Sequence, residues 1–241
     1  MGAQALEENR RSMNSGRFWA ELWMVLVLLV IATGLLAHSG ADLQLATYFY
    51  QAGGWPTGEQ FPWKLLYRID RIPALLLALG WLVVVIRSFA VPSLRQWRRA
   101  GIFMVLLLIL GPGLLVNSVF KEHWGRPRPR EVIQLGGSKE FLQPWQPGIS
   151  GQGRSFPSGH SSAAFYLLAP WFIYRHRKPF AARCWLSGGI GFGVLMSVAR
   201  ITQGGHFLTD CLWAFGMVWL TGQLLAAVLL PEQENGEGLS S

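Results

Sequence analysis

Residues 101–120 read GIFMVLLLILGPGLLVNSVF and contain no charged side chain. A helix that crosses the hydrocarbon core of a bilayer needs about 20 consecutive, mostly apolar residues. The run therefore predicts a membrane-spanning helix. Its central Gly111-Pro112-Gly113 predicts a kink, because proline cannot donate the backbone hydrogen bond that a regular helix requires.

The composition indicates that the whole chain is a membrane protein. Of its 241 residues, 51% are hydrophobic and 14% are charged, whereas soluble domains average about 25% charged residues. We predict an all-α polytopic membrane protein whose six transmembrane helices form a bundle. The predicted spans are Phe18 to Ala37, Pro73 to Val91, Gly101 to Phe120, Gly159 to Tyr174, Cys184 to Ile201 and Phe207 to Leu230.

These spans divide the chain into a cytoplasmic N-terminal segment (residues 1–17), a six-span domain (18–230) and a cytoplasmic tail (231–241). The tail is polar and acidic, so we expect it to be disordered. The first span could be read as a signal peptide, since arginines precede it. Its apolar stretch is longer than a usual signal core, which favours a retained span.

The basic residues of the short loops predict the orientation. Lys and Arg near span ends mark the cytoplasmic side. One side collects Arg10, Arg11, Arg17, Arg87, Arg95, Arg98, Arg99, Arg175, Arg177, Lys178 and Arg183. We therefore expect cytoplasmic termini in a bacterial inner membrane. Because these loops explain half of the net charge of +8, that charge does not indicate a nucleic-acid partner.

Three clusters on the outward, periplasmic side carry basic residues that the positive-inside rule does not explain. The clusters are KEHWGRPRP at residues 121–129, RSFPSGH at 154–160 and ARITQGGHFLTD at 199–210. In the predicted topology each cluster lies where a span meets the periplasm. All three should therefore reach the same face of the bundle, and this convergence predicts a functional site.

The third cluster contains His206 and Asp210, four residues apart at the start of a helix. This spacing places two side chains on one helix face. Asp210 could accept the proton of one ring nitrogen and leave the other as a lone pair, which would make His206 a nucleophile or a base. A buried His-Asp pair that only joins two helices is the alternative. Arg200, just before the Gly-Gly turn, favours the functional interpretation.

The second cluster predicts a helix start that faces a ligand. Ser158 is suited to the N-cap, and Gly159 would let a ligand approach the backbone. Helix N-termini bind phosphate through free N–H groups, and His160 in the first turn could give a proton to a departing oxygen. Taken alone, PSGH is better explained by a capped helix whose histidine reaches the membrane interface.

The first cluster supplies fixed positive charge. Arg128 can direct two N–H donors to phosphate oxygens, and Lys121 adds a compact cation. Arg126 competes with Arg128 for this role, because RPRP offers both side chains. An ordinary basic flank that anchors a span to lipid headgroups is the alternative.

Together the clusters resemble the signature of the type-2 phosphatidic acid phosphatase superfamily. That signature has a Lys, six residues, then Arg-Pro; later Pro-Ser-Gly-His; and later Ser-Arg, five residues, His, three residues, Asp. This chain has Lys121 with Arg128-Pro129, then Pro157-Ser158-Gly159-His160, then Arg200 with His206 and Asp210. Ala199 replaces the usual Ser, which puts one hydrogen bond in the phosphate site in doubt.

The resemblance implies a mechanism. His206 would attack phosphorus to form a phosphohistidine, Asp210 would orient its ring, and His160 would protonate the leaving oxygen before water releases phosphate. The residues that would bind phosphate are Lys121, Arg128, Ser158, Gly159 and Arg200. The fixed Lys and Arg cations would stabilise the phosphate charge that a metal ion stabilises in other phosphatases, so we expect no metal ion and no cofactor.

A site at the membrane rim is reached by lipids, so we expect a lipid phosphate as substrate. The candidates are undecaprenyl diphosphate, phosphatidylglycerol phosphate, phosphatidic acid and lipid A. The loop at residues 130–154 looks similar to that of some bacterial lipid A phosphatases, which slightly favours a polyanionic headgroup. No obligatory protein partner is evident. A phosphotransferase that uses the same phosphohistidine remains possible, as does a transporter that uses the cations to bind an anion or a lipid.

Overall fold

The structure is a computed structural model that describes residues 2–230, with side chains from residue 18 onward. The predicted disordered tail at residues 231–241 lies outside the described residues. The side chains of Arg10, Arg11 and Arg17, on which part of the predicted orientation depends, also lie outside them.

Most of the described chain is helical, and no β-strand occurs within residues 2–230, where only two isolated β-bridges are present. This confirms the predicted all-α class. The α-helices are α1 (Gly2–His38), α2 (Ala41–Phe49), α3 (Trp63–Ile69), α4 (Ile72–Arg87), α5 (Arg98–Leu108), α6 (Lys121–His123), α7 (Gly159–Phe165), α8 (Pro170–Tyr174), α9 (Pro179–Thr202) and α10 (Leu208–Leu229).

Five helical segments within the described residues are long and apolar enough to cross a membrane. They are Phe18–His38, Trp63–Arg87, Pro92–His123, Pro179–Thr202 and Leu208–Leu229. They correspond to the first, second, third, fifth and sixth predicted spans, and the second begins ten residues earlier than its predicted start at Pro73. The chain is therefore a multi-pass membrane protein.

The fourth predicted span, Gly159 to Tyr174, is a broken helix. α7 is followed by a 3₁₀ turn at Tyr166–Leu168, and α8 starts at Pro170, which has no N–H to continue the α-helical pattern. Most of the segment is buried inside the bundle. It is shorter than a regular span, so the count of six remains a prediction.

The third span changes its helical pitch at the Gly-Pro-Gly motif. Residues Ile109–Phe120 form a π-helix that contains Pro112. The side-chain amide of Asn117 donates to the Pro112 carbonyl oxygen at 2.6 Å. The motif therefore alters the local winding, and Asn117 supplies one of the hydrogen bonds that the altered backbone requires.

The core of the bundle surrounds the broken helix. Phe165, Tyr166 and Phe172 pack with Phe103 and Met104 of α5. The Tyr166 hydroxyl donates to the Met104 carbonyl at 2.9 Å, so its polar end is satisfied despite complete burial. By contrast, Leu35 of α1 and Leu76 of α4 are 65% and 63% exposed, as expected of side chains that face lipid.

Residues 39–72 fold over the turn between α9 and α10. The Gln203 side chain donates to the carbonyl oxygens of Gly58 and Trp63, at 3.2 and 3.4 Å. Gly204 has a positive φ of 60° and lies against the ring of Trp55, where a side chain would not fit. This segment therefore brings α2 and α3 to the end of the bundle where the three sequence clusters meet.

Candidate active site

The structure brings the two predicted histidines together. The ring centroids of His160, at the start of α7, and His206, just before α10, are 6.3 Å apart. Lys121 belongs to the same group, because a Cβ added to Gly159 would be 3.0 Å from its ammonium nitrogen. Residues from all three sequence clusters therefore surround one small volume.

The environment of His206 leaves one nitrogen available for chemistry. Its Nδ1 lies 2.7 Å from the Ser155 carbonyl oxygen, which can only accept a hydrogen bond. Nδ1 therefore carries the proton in the neutral ring, and Nε2 keeps its lone pair. Nε2 is buried without a hydrogen-bond partner. This is the tautomer that a nucleophilic histidine needs.

Burial keeps the His206 ring neutral. Removal from water lowers the pKa of His206 to about 4, although the neighbouring carboxylate of Asp210 acts in the opposite direction. At neutral pH the ring is therefore uncharged, with its one proton on Nδ1 and a lone pair on Nε2.

Asp210 does not contact the His206 ring in the way the spacing predicted. Its Oδ2 lies 3.7 Å from Nδ1, too far for a hydrogen bond. The same oxygen accepts from the Ser155 hydroxyl at 2.6 Å and from the Phe207 N–H at 2.7 Å. The prediction of a direct proton acceptor is wrong. Asp210 instead acts on His206 through two neighbouring residues. It fixes Ser155, whose carbonyl oxygen contacts the His206 ring, and Phe207, which directly follows His206 in the chain.

Arg126 lies behind the site and not among the cations that face it. Its side chain is fully buried and donates to Asp210 Oδ1 at 2.6 Å and to Asp42 Oδ2 at 2.8 Å. It also donates to the Thr209 hydroxyl and the Leu142 carbonyl oxygen, both at 2.9 Å. With its N–H donors engaged by these four acceptors, Arg126 is not available to a phosphate, which favours Arg128 of the two arginines in RPRP.

Sequence reasoning missed Asp42 entirely. It lies in α2, is 3% exposed, and accepts both from Arg126 and from the Thr209 backbone N–H, the latter at 2.9 Å. A lone carboxylate in the apolar helix ADLQLATYF was the available signal, since a buried charge requires a partner. The partner could not be named, because it lies far away in the sequence.

Three of the predicted phosphate-binding side chains, Lys121, Arg128 and Arg200, have N–H groups that are not fully hydrogen-bonded within the protein. The Nε atoms of Arg128 and Arg200 are buried and make no hydrogen bond, and Lys121 has one long contact, 3.4 Å, with the Asn117 side-chain oxygen. Burial, together with the positive charge of Arg130, lowers the pKa of Arg128 from its ordinary value. Such a concentration of incompletely satisfied cations is suited to an anion.

Ser158 is the N-cap of α7, as predicted: its hydroxyl accepts from the Ser161 N–H at 3.3 Å. Its own N–H is not free for a ligand, because it donates to the Asp210 carbonyl oxygen at 3.1 Å. That part of the prediction is wrong. Gly159 and His160 are the first two residues of α7, so their N–H groups have no acceptor in a preceding helical turn.

His160 is held by residues that the motifs do not include. Its Nε2 lies 3.2 Å from Asp70 Oδ2, and its ring stacks on Tyr67 at a centroid distance of 5.4 Å. Its Nδ1 is buried without a hydrogen-bond partner. The Arg200 guanidinium lies over the other ring of this stack, 4.7 Å from the Tyr67 centroid. Both missed residues come from α3 and the residue that ends it.

Ala199 is fully buried in α9, so the methyl group in place of the family's hydroxyl lies inside the protein. No group of three or more His, Cys, Asp or Glu residues that could hold a metal ion is present among the described residues.

The comparisons with known proteins agree with this geometry. The model of the PAP2 superfamily matches residues 102–233, which include all three clusters. The chain belongs to the PAP2 superfamily. Among its curated relatives, the lipid A 4'-phosphatase of Francisella tularensis subsp. novicida is 31% identical over 211 residues, covering 83% of this chain and 90% of the relative.

Two further matches, both from Bacillus subtilis, extend the comparison. Phosphatidylglycerophosphatase B is 30% identical over 127 residues, 50% of this chain and 55% of that protein. The crystal structure of a transmembrane PAP2 type phosphatidylglycerolphosphate phosphatase aligns with a TM-score of 0.57 and 22% identity, over 89% of this chain and 98% of the other. The prediction that this chain is a membrane phosphatase of the PAP2 superfamily is confirmed.

Proposed function

We propose that this PAP2 protein hydrolyses a phosphate monoester on a lipid through a phosphohistidine at His206, without a metal ion. The observation that carries the proposal is the pairing of two histidines, each with one nitrogen fixed and the other free, beside incompletely satisfied cations. A nucleophile, an acid and an anion site are the parts that phosphoryl transfer requires.

In the proposed first step the lone pair on Nε2 of His206 attacks phosphorus, and the bond to the leaving oxygen breaks. The cations of Lys121, Arg128 and Arg200, with the N–H groups at the start of α7, stabilise the charge on the equatorial oxygens. His160 protonates the leaving oxygen. Water then attacks the phosphohistidine, releases phosphate and restores the lone pair on Nε2.

The role of Asp210 in this proposal is indirect. Ser155 and Phe207 hold the His206 ring from two sides, and Asp210 accepts a hydrogen bond from each. The buried Arg126 balances the charge of Asp210 and ties it to Asp42. The proposed function of this group is to keep Nε2 directed at phosphorus, because displacement of about 1 Å can cost about 100-fold in rate.

A glycolipid phosphate of the lipid A type is the substrate that we propose. The relative named lipid A 4'-phosphatase aligns over 83% of the chain, whereas the phosphatidylglycerophosphatase relative aligns over 50%. A cavity of about 480 Å³ next to the phosphate site is lined by Gln51, Trp55, Glu59, Arg130 and Gln203, among others. Gln203 also accepts a hydrogen bond from Arg200, which links the cavity to the phosphate-binding cations. Polar and aromatic side chains in a cavity of this size are suited to a sugar headgroup.

The proposed setting is the inner membrane of a bacterium, with cytoplasmic termini and the active site facing the periplasm. The loop between α8 and α9 carries exposed Arg177 and Lys178 at the end of the bundle away from the histidines, as the positive-inside rule expects of a cytoplasmic loop. The proposed catalytic domain is residues 18–230.

The test is phosphate release by the purified protein in detergent from lipid A, phosphatidylglycerol phosphate, phosphatidic acid and undecaprenyl diphosphate. We expect the highest kcat/KM with lipid A, no loss with a chelator, and no release by His206→Gln. Highest activity with another lipid would contradict the substrate, and inhibition by a chelator that magnesium reverses would contradict the mechanism. Transfer of the phosphate to a second lipid instead of water would identify a phosphotransferase.

A further inference from the structure

We infer that Asp70 is a positioning residue that orients His160 and stabilises its protonated ring during departure of the leaving group. The inference rests on the proposed function, because it assigns Asp70 a part in the same reaction. Asp70 lies in none of the three sequence clusters.

The contact between the two side chains is short and largely shielded from water. Asp70 Oδ2 lies 3.2 Å from Nε2 of His160, and the two side chains are 16% and 15% exposed. Asp70 is itself held, because its Oδ1 accepts from the Arg71 backbone N–H at 2.7 Å. A fixed carboxylate beside a ring nitrogen sets both the orientation of the ring and the nitrogen that carries the proton.

Tyr67 fixes the plane of the same ring. It lies one helical turn before Asp70 and stacks on His160 with an angle of 30° between the rings. The end of α3 thus holds His160 in two ways, by the stack on its face and by the carboxylate at its edge. A histidine that only capped a helix would need neither contact.

The surrounding charge explains why the acid needs a carboxylate. Arg200, Lys121 and Arg71 are the nearby cations that face His160, and His206 would repel a second proton as well. A protonated imidazole in this group is unfavourable without a compensating anion. Asp70 supplies that anion, although it shares its Oδ2 with Arg71, whose Nε lies 3.5 Å away.

The geometry also selects the atom that transfers the proton. Since the Asp70 carboxylate lies beside Nε2 and favours a proton there, the proton for the leaving group is on Nδ1, the nitrogen that is buried without a partner. As the bond from His206 Nε2 to phosphorus forms, the bond to the leaving oxygen breaks and its electron pair stays on that oxygen. The oxygen takes the proton from Nδ1 of His160, which becomes neutral.

The second half of the reaction returns this proton. A water oxygen forms a bond to phosphorus while Nδ1 of His160 takes one water proton. The bond between nitrogen and phosphorus breaks, and its electron pair returns to Nε2 of His206. The Nε2 proton of His160 stays on the ring beside Asp70 in both steps. Because Nδ1 regains a proton from water, His160 returns to its initial protonated state.

The test compares two substrates that differ in their need for an acid. Short-chain phosphatidic acid has an alkoxide leaving group that requires a proton, whereas p-nitrophenyl phosphate has a leaving group stable enough to depart without one. General acid catalysis contributes about 10²- to 10⁴-fold. We expect Asp70→Asn to lower kcat on the alkyl substrate by about 10- to 100-fold, and on the aryl substrate by less than about 3-fold, because Asp70 acts through the acid.

Two matched variants sharpen the comparison. His160→Gln should show the same selectivity with a larger loss, and the double variant should be no slower than His160→Gln alone, since residues that act as a unit are not additive. Glu140→Gln, which removes an exposed carboxylate from the loop outside the site, should leave both activities unchanged. Asp70→Glu should recover part of the alkyl activity.

An equal loss on both substrates would overturn the inference, because it would mean that Asp70 supports the fold and not the acid. No loss on either substrate, or additive losses in the double variant, would also overturn it. Failure of the wild-type protein to release phosphate from lipid A as well as from both test substrates would instead overturn the proposed function, and the inference with it.

Discussion

Arg126→Lys tests whether the buried arginine supports the site from behind or binds phosphate. Arg126 donates four hydrogen bonds, to Asp42, Asp210, Thr209 and Leu142. A lysine keeps the charge but has all its donors on one nitrogen, so it cannot bridge the same acceptors. At least two hydrogen bonds should be lost.

The magnitude follows from those contacts. Each hydrogen bond that involves a charged group contributes about 1.5–3 kcal/mol, so the loss of two predicts a destabilisation of about 3 kcal/mol or more. For a chain of this size that corresponds to a fall in Tm of about 6–12 °C. The assay is thermal unfolding in detergent followed by the fluorescence of the 12 tryptophans.

Kinetics supply the second measurement. Because Arg126 does not face the substrate, Arg126→Lys should lower kcat through misplacement of His206 and leave KM nearly unchanged. Arg177→Lys, at an exposed position in the loop between α8 and α9, is the matched control and should change neither Tm nor kcat. A variant with wild-type Tm and a raised KM would refute this reasoning and return Arg126 to the phosphate-binding residues.

Two further predictions concern the cation and the nucleophile. Arg128→Gln removes a charged donor whose Nε has no protein partner, so kcat/KM should fall about 10- to 150-fold in steady-state assays. Arg177→Gln should have no effect, and an unchanged kcat/KM in Arg128→Gln would contradict the assignment. Because the pKa of His206 is about 4 in the folded state and 6.5 in the unfolded chain, the free energy of unfolding falls by about 3 kcal/mol as the pH drops from about 6.5 to about 4. The wild-type protein should therefore lose more Tm across this pH range than His206→Gln, and parallel losses would contradict the buried neutral ring.

The sequence was sufficient for the features that depend on short stretches. Apolar length predicted the five spans, including the last helix, although His206 lies just before that helix and not in its first turn. The fourth span was harder, because α7 and α8 are enclosed by protein and are broken at Pro170. Buried helices do not need the uniform hydropathy of a lipid-facing span, so a transmembrane length criterion does not find them.

The contacts that complete the site could not be predicted, for two physical reasons. Asp42 reaches Arg126, and Tyr67 and Asp70 reach His160, only because residues 39–72 fold over the α9–α10 turn. No local pattern encodes this packing. The orientation of His206 depends on the backbone carbonyl of Ser155, which any residue type would offer. Arg126 and Arg128 occupy equivalent places in RPRP, so only tertiary contacts distinguish them.

The most direct test of the central claim is capture of the covalent intermediate. The protein is mixed with substrate labelled with phosphorus-32 on the scissile phosphate and quenched within the first turnover. We predict a labelled protein whose label is lost in acid and stable in alkali, as expected of a phosphohistidine, and absent from His206→Gln. Label that persists in His206→Gln, or turnover by His206→Gln at the wild-type rate, would contradict the account.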